Sequence, residues 1–198
     1  DSVTFEQGTF SEPLGCVVRG LRAARMEAGK TVLVIGSGIS GLLHIRLARA
    51  LGAGKLIATD INQYRLDAAK VSGADLALHA GEDIPKAVRD FLGRPVDIAI
   101  LCASADKAIL QAIKSVDRGG CVLFFAPKEP GAIYPMPLFD LWKDNIALVN
   151  SYASPPNDTA VAIDLIEAGR VKVADLITHR LPLQEAERGF SLVAGAGE

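Results

Sequence analysis

The sequence predicts an α/β fold, a doubly wound parallel sheet of about six strands with helices on both faces. Two observations predict it. Short β-branched or apolar runs alternate with helix-period segments along most of the 198 residues. The connections between them are short, and most close on a glycine.

The elements follow in order. Residues 31–35 (TVLVI) read as a buried parallel strand. A helix over 42–51 stops at Gly52. Residues 55–59 (KLIAT) form the second strand, and a helix over 62–71 stops at Gly73. Residues 76–79 are a short strand, 84–92 a helix closed by Gly93, and 96–101 (VDIAIL) a strand. A helix over 106–116 precedes strands at 121–125 (CVLFF) and 146–150 (IALVN). Residues 159–168 read as a helix ended by Gly169, 177–181 as a strand before Pro182, and 185–193 as the last helix. The Pro-rich stretches 127–131 and 154–157 read as loops. Ahead of the alternation, 16–26 is an amphipathic helix, while 5–11 has no partner segment.

Composition removes several classes. With 49% hydrophobic and 22% charged residues the chain is not disordered. A formal net charge of -2 and no basic run speak against nucleic acid as a partner. No apolar run reaches the roughly 18 residues of a membrane span. Cys16, Cys102 and Cys121 make no C-x-x-C, and His44, His79 and His179 make no pair at metal spacing. Cys102 and Cys121 lie in apolar runs and read as small buried hydrophobes. His44, on the helix after the first strand, reads as a surface or packing residue. This scattered set suits a reducing compartment, so the expected location is the cytoplasm. The chain opens on Asp-Ser-Val rather than Met and shows no leader, so it is expected to be processed or part of something longer.

Residues 36–41 spell G-x-G-x-x-G between a strand and a helix. Gly36 permits the tight turn, Gly38 lets backbone approach a pyrophosphate, and Gly41 lets the helix pack closely. The helix N-terminus adds free N–H groups and partial positive charge. Asp60 closes the second strand, 19 residues after Gly41. A carboxylate there accepts ribose hydroxyls and repels a 2′-phosphate, which favours NAD over NADP. Arg65, a possible phosphate partner, works in the opposite direction. Methyltransferases that use S-adenosylmethionine share such a loop but carry an acidic residue where this chain has Ile35. Short-chain dehydrogenases need Tyr-x-x-x-Lys, and no tyrosine here has Lys four residues on.

At these residues the chain resembles the medium-chain dehydrogenase/reductase superfamily, in particular its zinc-dependent alcohol and polyol dehydrogenases. Four stretches carry the resemblance: Glu12-Pro-Leu-Gly-Cys16, which lies 24 residues before the loop; 32–41; 58–62 with Arg65-Leu66; and 177–183, Ile-Thr-His-Arg-Leu-Pro-Leu. The resemblance implies a Rossmann cofactor domain spanning 30–152. Residues 1–29 would lead in from a catalytic domain that this chain lacks, and 153–198 would return to it. It implies an NAD site built from Gly36, Gly38, Ile39, Ser40, Gly41, Asp60, Ile61 and Arg65. Cys102 and Ala103 would flank the adenosine; Phe125, Ala126, Ser151 and Tyr152 would lie near the nicotinamide.

Glu12 matches a glutamate that approaches the catalytic zinc in the polyol branch, a role the resemblance implies for the longer parent; in this chain alone it reads as an exposed residue suited to a helix start. The Gly-His-Glu segment that would supply further ligands is absent from the chain. No catalytic residue is therefore expected within it, and zinc belongs to the longer parent only. The expected function is to bind and orient NAD(H) for hydride transfer, without activity in isolation. Two alternatives stand beside it, the cofactor half of a zinc-free quinone reductase and a non-catalytic NAD sensor. The apolar 146–150 edge suggests a homo-oligomer formed by strand pairing.

Overall fold

Alternate residues of the strand Thr31–Ile35 (β1) enter opposite layers: Val32 and Val34 join one hydrophobic cluster, Leu33 and Ile35 the other. A strand apolar on both faces has to be covered on both. The computed structural model describes residues 2–126, 128–134 and 136–195. Pro127 of the expected loop, and residues 1 and 196–198 of the expected terminal segments, lie outside them.

The strands are β1, β2 (Lys55–Asp60), β3 (Leu76–His79), β4 (Val96–Leu101), β5 (Val116–Phe124) and β6 (Ala147–Asn150). They form one six-stranded sheet in the order β3-β2-β1-β4-β5-β6, and every neighbouring pair is parallel. This is the Rossmann arrangement, whose winding reverses beside β1.

One layer holds α2 (Ser11–Ala23), α3 (Ile39–Ala50), α4 (Gln63–Val71) and α8 (Pro156–Glu167). The other holds α5 (Ile84–Leu92), α6 (Asp106–Ser115) and α7 (Leu138–Lys143). Leu14, Val17, Val18 and Leu21 line one face of α2 and are buried, so this helix joins the layer by packing on α3 and α8. The last helix, α9 (Ala186–Ala194), buries no residue.

Several boundaries depart from the sequence reading. Residues 177–181 form no strand. They run between short 3-10 turns at Ala174–Leu176 and Leu183–Glu185. Both sheet edges lie elsewhere, and Arg180 pairs with Glu6 at the surface instead. β5 begins five residues early, because Val116 pairs with Val96 before a register shift carries the ladder to Ile98 and Cys121. Gly119, at φ +72°, lies within that irregular stretch. The turn Phe5–Gly8 (α1) is helical, held by a Thr4–Gln7 capping box that was present in the sequence as T-x-x-Q. α2 starts at Ser11 rather than 16, since Pro13 is tolerated in a first turn. α7 was not anticipated.

Candidate functional site

β1 ends at Ile35, and the chain turns at Gly36 with φ +94°. A Cβ there would come within 2.9 Å of the Cys102 backbone, so a side chain is excluded on both counts. Gly41 is equally constrained: its Cβ would sit 1.9 Å from the Gly36 carbonyl oxygen. The glycine thus lets α3 close on the loop itself, a tighter reason than packing on the sheet. Gly38 differs. Among the described residues a Cβ there would meet no atom within 4 Å, so the space above it is open. Gly38 also precedes α3 with no side-chain cap. The first-turn N–H groups, at Ile39 and Ser40, therefore stay available to an anion.

Asp60 ends β2 beside this loop and is 5% exposed. Its Oδ2 accepts the Ser37 backbone N–H at 2.8 Å, and its Oδ1 accepts that of Asn62 at 3.0 Å. The Arg65 guanidinium lies 3.9 Å from Oδ2. Ile61 is two-thirds exposed next to it.

The remaining strand ends converge on the same rim. Cys102 donates its N–H to the Ile35 carbonyl at 2.8 Å, and Ala103 borders Gly36. Phe125 and Ala126 both donate to the Leu101 carbonyl, at 3.1 and 2.9 Å. Ser151 donates its N–H to the Phe124 carbonyl at 3.3 Å, while its buried hydroxyl has no hydrogen-bond partner among the described residues. Tyr152 projects from the rim, 87% exposed.

His44 lies beneath the rim. It is fully buried rather than at the surface, and its Nδ1 lies 2.8 Å from the Ser40 carbonyl oxygen. Its ring meets Phe125 edge-on, and the Cys102 sulfur is 3.6 Å from Nδ1. Burial drives the imidazole down to about 4 and pushes the Cys102 thiol up to about 12, so both are neutral. Neither is a nucleophile or a base at ordinary pH.

Glu12 is exposed in the first turn of α2, where it accepts the Cys16 thiol at 3.0 Å. Burial, with Glu12 adding to it, raises that thiol to about 11. One turn on, a Cβ at Gly15 would collide with Ser154, so this end of α2 abuts the segment that leaves β6. Among the described residues no three His, Cys, Asp or Glu side chains come together to hold a metal. Glu12 with Cys16 offers two donors at most, so the described part of the chain does not fit zinc by itself.

A family model described as zinc-binding dehydrogenase matches residues 40–168. The chain belongs to the zinc-binding dehydrogenase family. Sorbitol dehydrogenase from Mus musculus is 30% identical over 194 residues, covering 96% of this chain and 54% of that protein. Alcohol dehydrogenase TADH from Thermus sp. ATN1 superposes with a TM-score of 0.88 at 26% identity, covering 98% of this chain and 56% of that one. A Sinorhizobium meliloti 1021 protein bound to NADP gives a TM-score of 0.86 at 27% identity, over 92% of this chain and 54% of that one. The chain thus spans about half the length of the curated relatives it matches.

In this family member the structure brings the loop, Asp60 and the strand ends to one rim; the sequence left His44 open between surface and packing and did not single out Ser37. Ser37 sits at a variable position of the glycine motif, yet it is fully buried and bonded to β2. The small polar side chain was its only sequence signal. Nothing in sequence separated His44 from the surface of α3.

Proposed function

We propose that this chain is the NAD(H)-binding domain of a zinc-dependent alcohol or polyol dehydrogenase, and that it orients the cofactor without oxidising alcohols by itself. One observation carries the reading. The open space above Gly38 lies at the uncapped start of α3, beside the Asp60 carboxylate, at the switch point of a doubly wound sheet.

Gly36, Gly38, Ile39, Ser40 and Gly41 hold the pyrophosphate. Asp60 accepts the adenosine ribose, with Ile61, Arg65, Cys102 and Ala103 around it. Phe125, Ala126, Ser151 and Tyr152 border the nicotinamide. When bound, that ring gives or takes the hydride; the chain binds and orients it. Support for NAD over NADP comes from the buried carboxylate, which a 2′-phosphate would have to approach.

Residues 30–152 form the cofactor core in this reading, with 1–29 and 153–198 joining it to the rest of the protein. Glu12 then faces a metal site whose other ligands come from outside this chain. The cytoplasm suits its free cysteines, and the β6 edge pairs two copies.

Titration calorimetry tests the reading. NAD(H) should bind the chain, and Asp60→Ala should weaken NAD far more than NADP. Unchanged NAD affinity in that variant overturns the ribose assignment. Robust zinc-dependent alcohol oxidation by this chain alone overturns its supporting role.

A further inference from the structure

The turn after β1 is stitched to the end of β2 by backbone and side chain together. Gly36 donates its N–H to the Thr59 carbonyl at 2.9 Å, and the Ser37 hydroxyl donates to the same oxygen at 3.2 Å. The Ser37 N–H goes to Asp60 Oδ2 and the Asn62 N–H to Oδ1. The Asp60 side chain is 4% exposed, so these donors, with the Arg65 guanidinium 3.9 Å away, offset the cost of burying it. Ser37 likewise is wholly buried, and its N–H would be left without an acceptor if the carboxylate were lost.

Ribose recognition alone does not require this arrangement. A carboxylate that only greeted two hydroxyls would point both oxygens outward. Here each oxygen already takes a backbone N–H, one from the glycine loop and one from the start of α4. Each still has a lone pair for a ligand hydroxyl.

We propose that Asp60 is a positioning residue as well as the ribose acceptor: it clamps the glycine loop, through Ser37, in the shape that takes the pyrophosphate. This rests on the cofactor reading above and adds a coupling to it. A ribose that polarises Asp60 acts on the same carboxylate that sets the loop, so the two halves of the nucleotide are read together.

Inorganic pyrophosphate, which has no ribose, separates the clamp from ribose binding. Charge alone predicts that Asp60→Asn binds it more tightly, because a negative charge leaves the site. The clamp predicts the reverse, roughly tenfold weaker binding, because the amide cannot accept from both N–H groups. The titration is followed by NMR on the full chain, together with amide exchange in the absence of ligand. Ser37 should exchange about tenfold faster in the variant, with the β1 amides Val32–Ile35 unchanged as the folding control.

Unchanged Ser37 exchange overturns the clamp. Faster Ser37 exchange with equal or tighter pyrophosphate binding overturns the coupling. Should Asp60→Asn fail to fold, Asp60→Glu keeps the charge but moves the oxygens by one methylene, and it must loosen Ser37 in the same direction. A wild-type chain that binds no pyrophosphate refutes the cofactor reading, while Ser37 exchange still decides the clamp.

Discussion

The His44 imidazole stands edge-on to the Phe125 ring with centroids 4.5 Å apart, tying α3 to the end of β5. Its Nδ1 is held at the Ser40 carbonyl, and its buried Nε2 has no hydrogen-bond partner among the described residues. Gly20 of α2 makes this possible, since a Cβ there would crowd Leu123, Phe125 and Nε2 at 3.2 to 3.5 Å.

Burial lowers His44 to about 4, so the unfolded chain takes up a proton near pH 6.5 that the native ring refuses. Stability from this group is complete above pH 6.5 and is lost as pH falls towards 4. The loss is on the order of 3 kcal/mol. His44→Leu removes the titration and the orphaned nitrogen together. Urea unfolding at a series of pH values should show a flatter profile across that window, with stability at pH 7 within about 1 kcal/mol of the parent. An unchanged slope would contradict this.

Gly38 and Gly41 should separate binding from folding. Gly38→Val puts a side chain into space no protein atom fills, so NAD affinity should fall more than tenfold while stability stays within about 1 kcal/mol. Gly41→Ala drives a Cβ into the Gly36 carbonyl and should cost on the order of 3 kcal/mol of stability. Calorimetric affinity and denaturant midpoints measure the two effects. Equal behaviour of the two variants would refute the division.

Arg46 fastens the turn after α8 to α3. Its guanidinium grips Asp175 at 2.6 and 2.7 Å and also bonds the Lys172 carbonyl and the Ser72 hydroxyl, with the side chain only 10% exposed. Arg46→Ala should destabilise the chain by about 2–3 kcal/mol, and Arg46→Lys by most of that, because an ammonium cannot reproduce the planar fork. Denaturant unfolding decides it; a lysine variant as stable as the parent would show that charge alone suffices.

At the β6 edge, Ala147, Leu148 and Asn150 are exposed, and the sheet ends there. The chain should sediment as a dimer, and Leu148→Lys should shift it towards monomer, since an edge lysine discourages strand pairing. A monomeric parent at high protein concentration would rule out this edge as the contact.

Local chemistry made much of the fold legible. β1, β3 and β4 begin and end where their apolar runs do. The parallel sheet followed from Gly-closed alternation, because a right-handed crossover is the short way to join such strands. The glycine loop and Asp60 were readable for the same reason: each is a residue type demanded at one point of a turn.

Local pattern thus sets the doubly wound sheet, the loop and the acidic residue beside it. Their spacing along the chain is set by covalent geometry and by apolar period. Long-range packing is what makes Ser37 and Asp60, 23 positions apart, share a hydrogen bond, and what buries His44 where the sequence allowed either surface or packing. It likewise left 177–181 without a strand to pair with. Each of these depends on what packs against the residue from a distant part of the chain, and no local pattern carries that information.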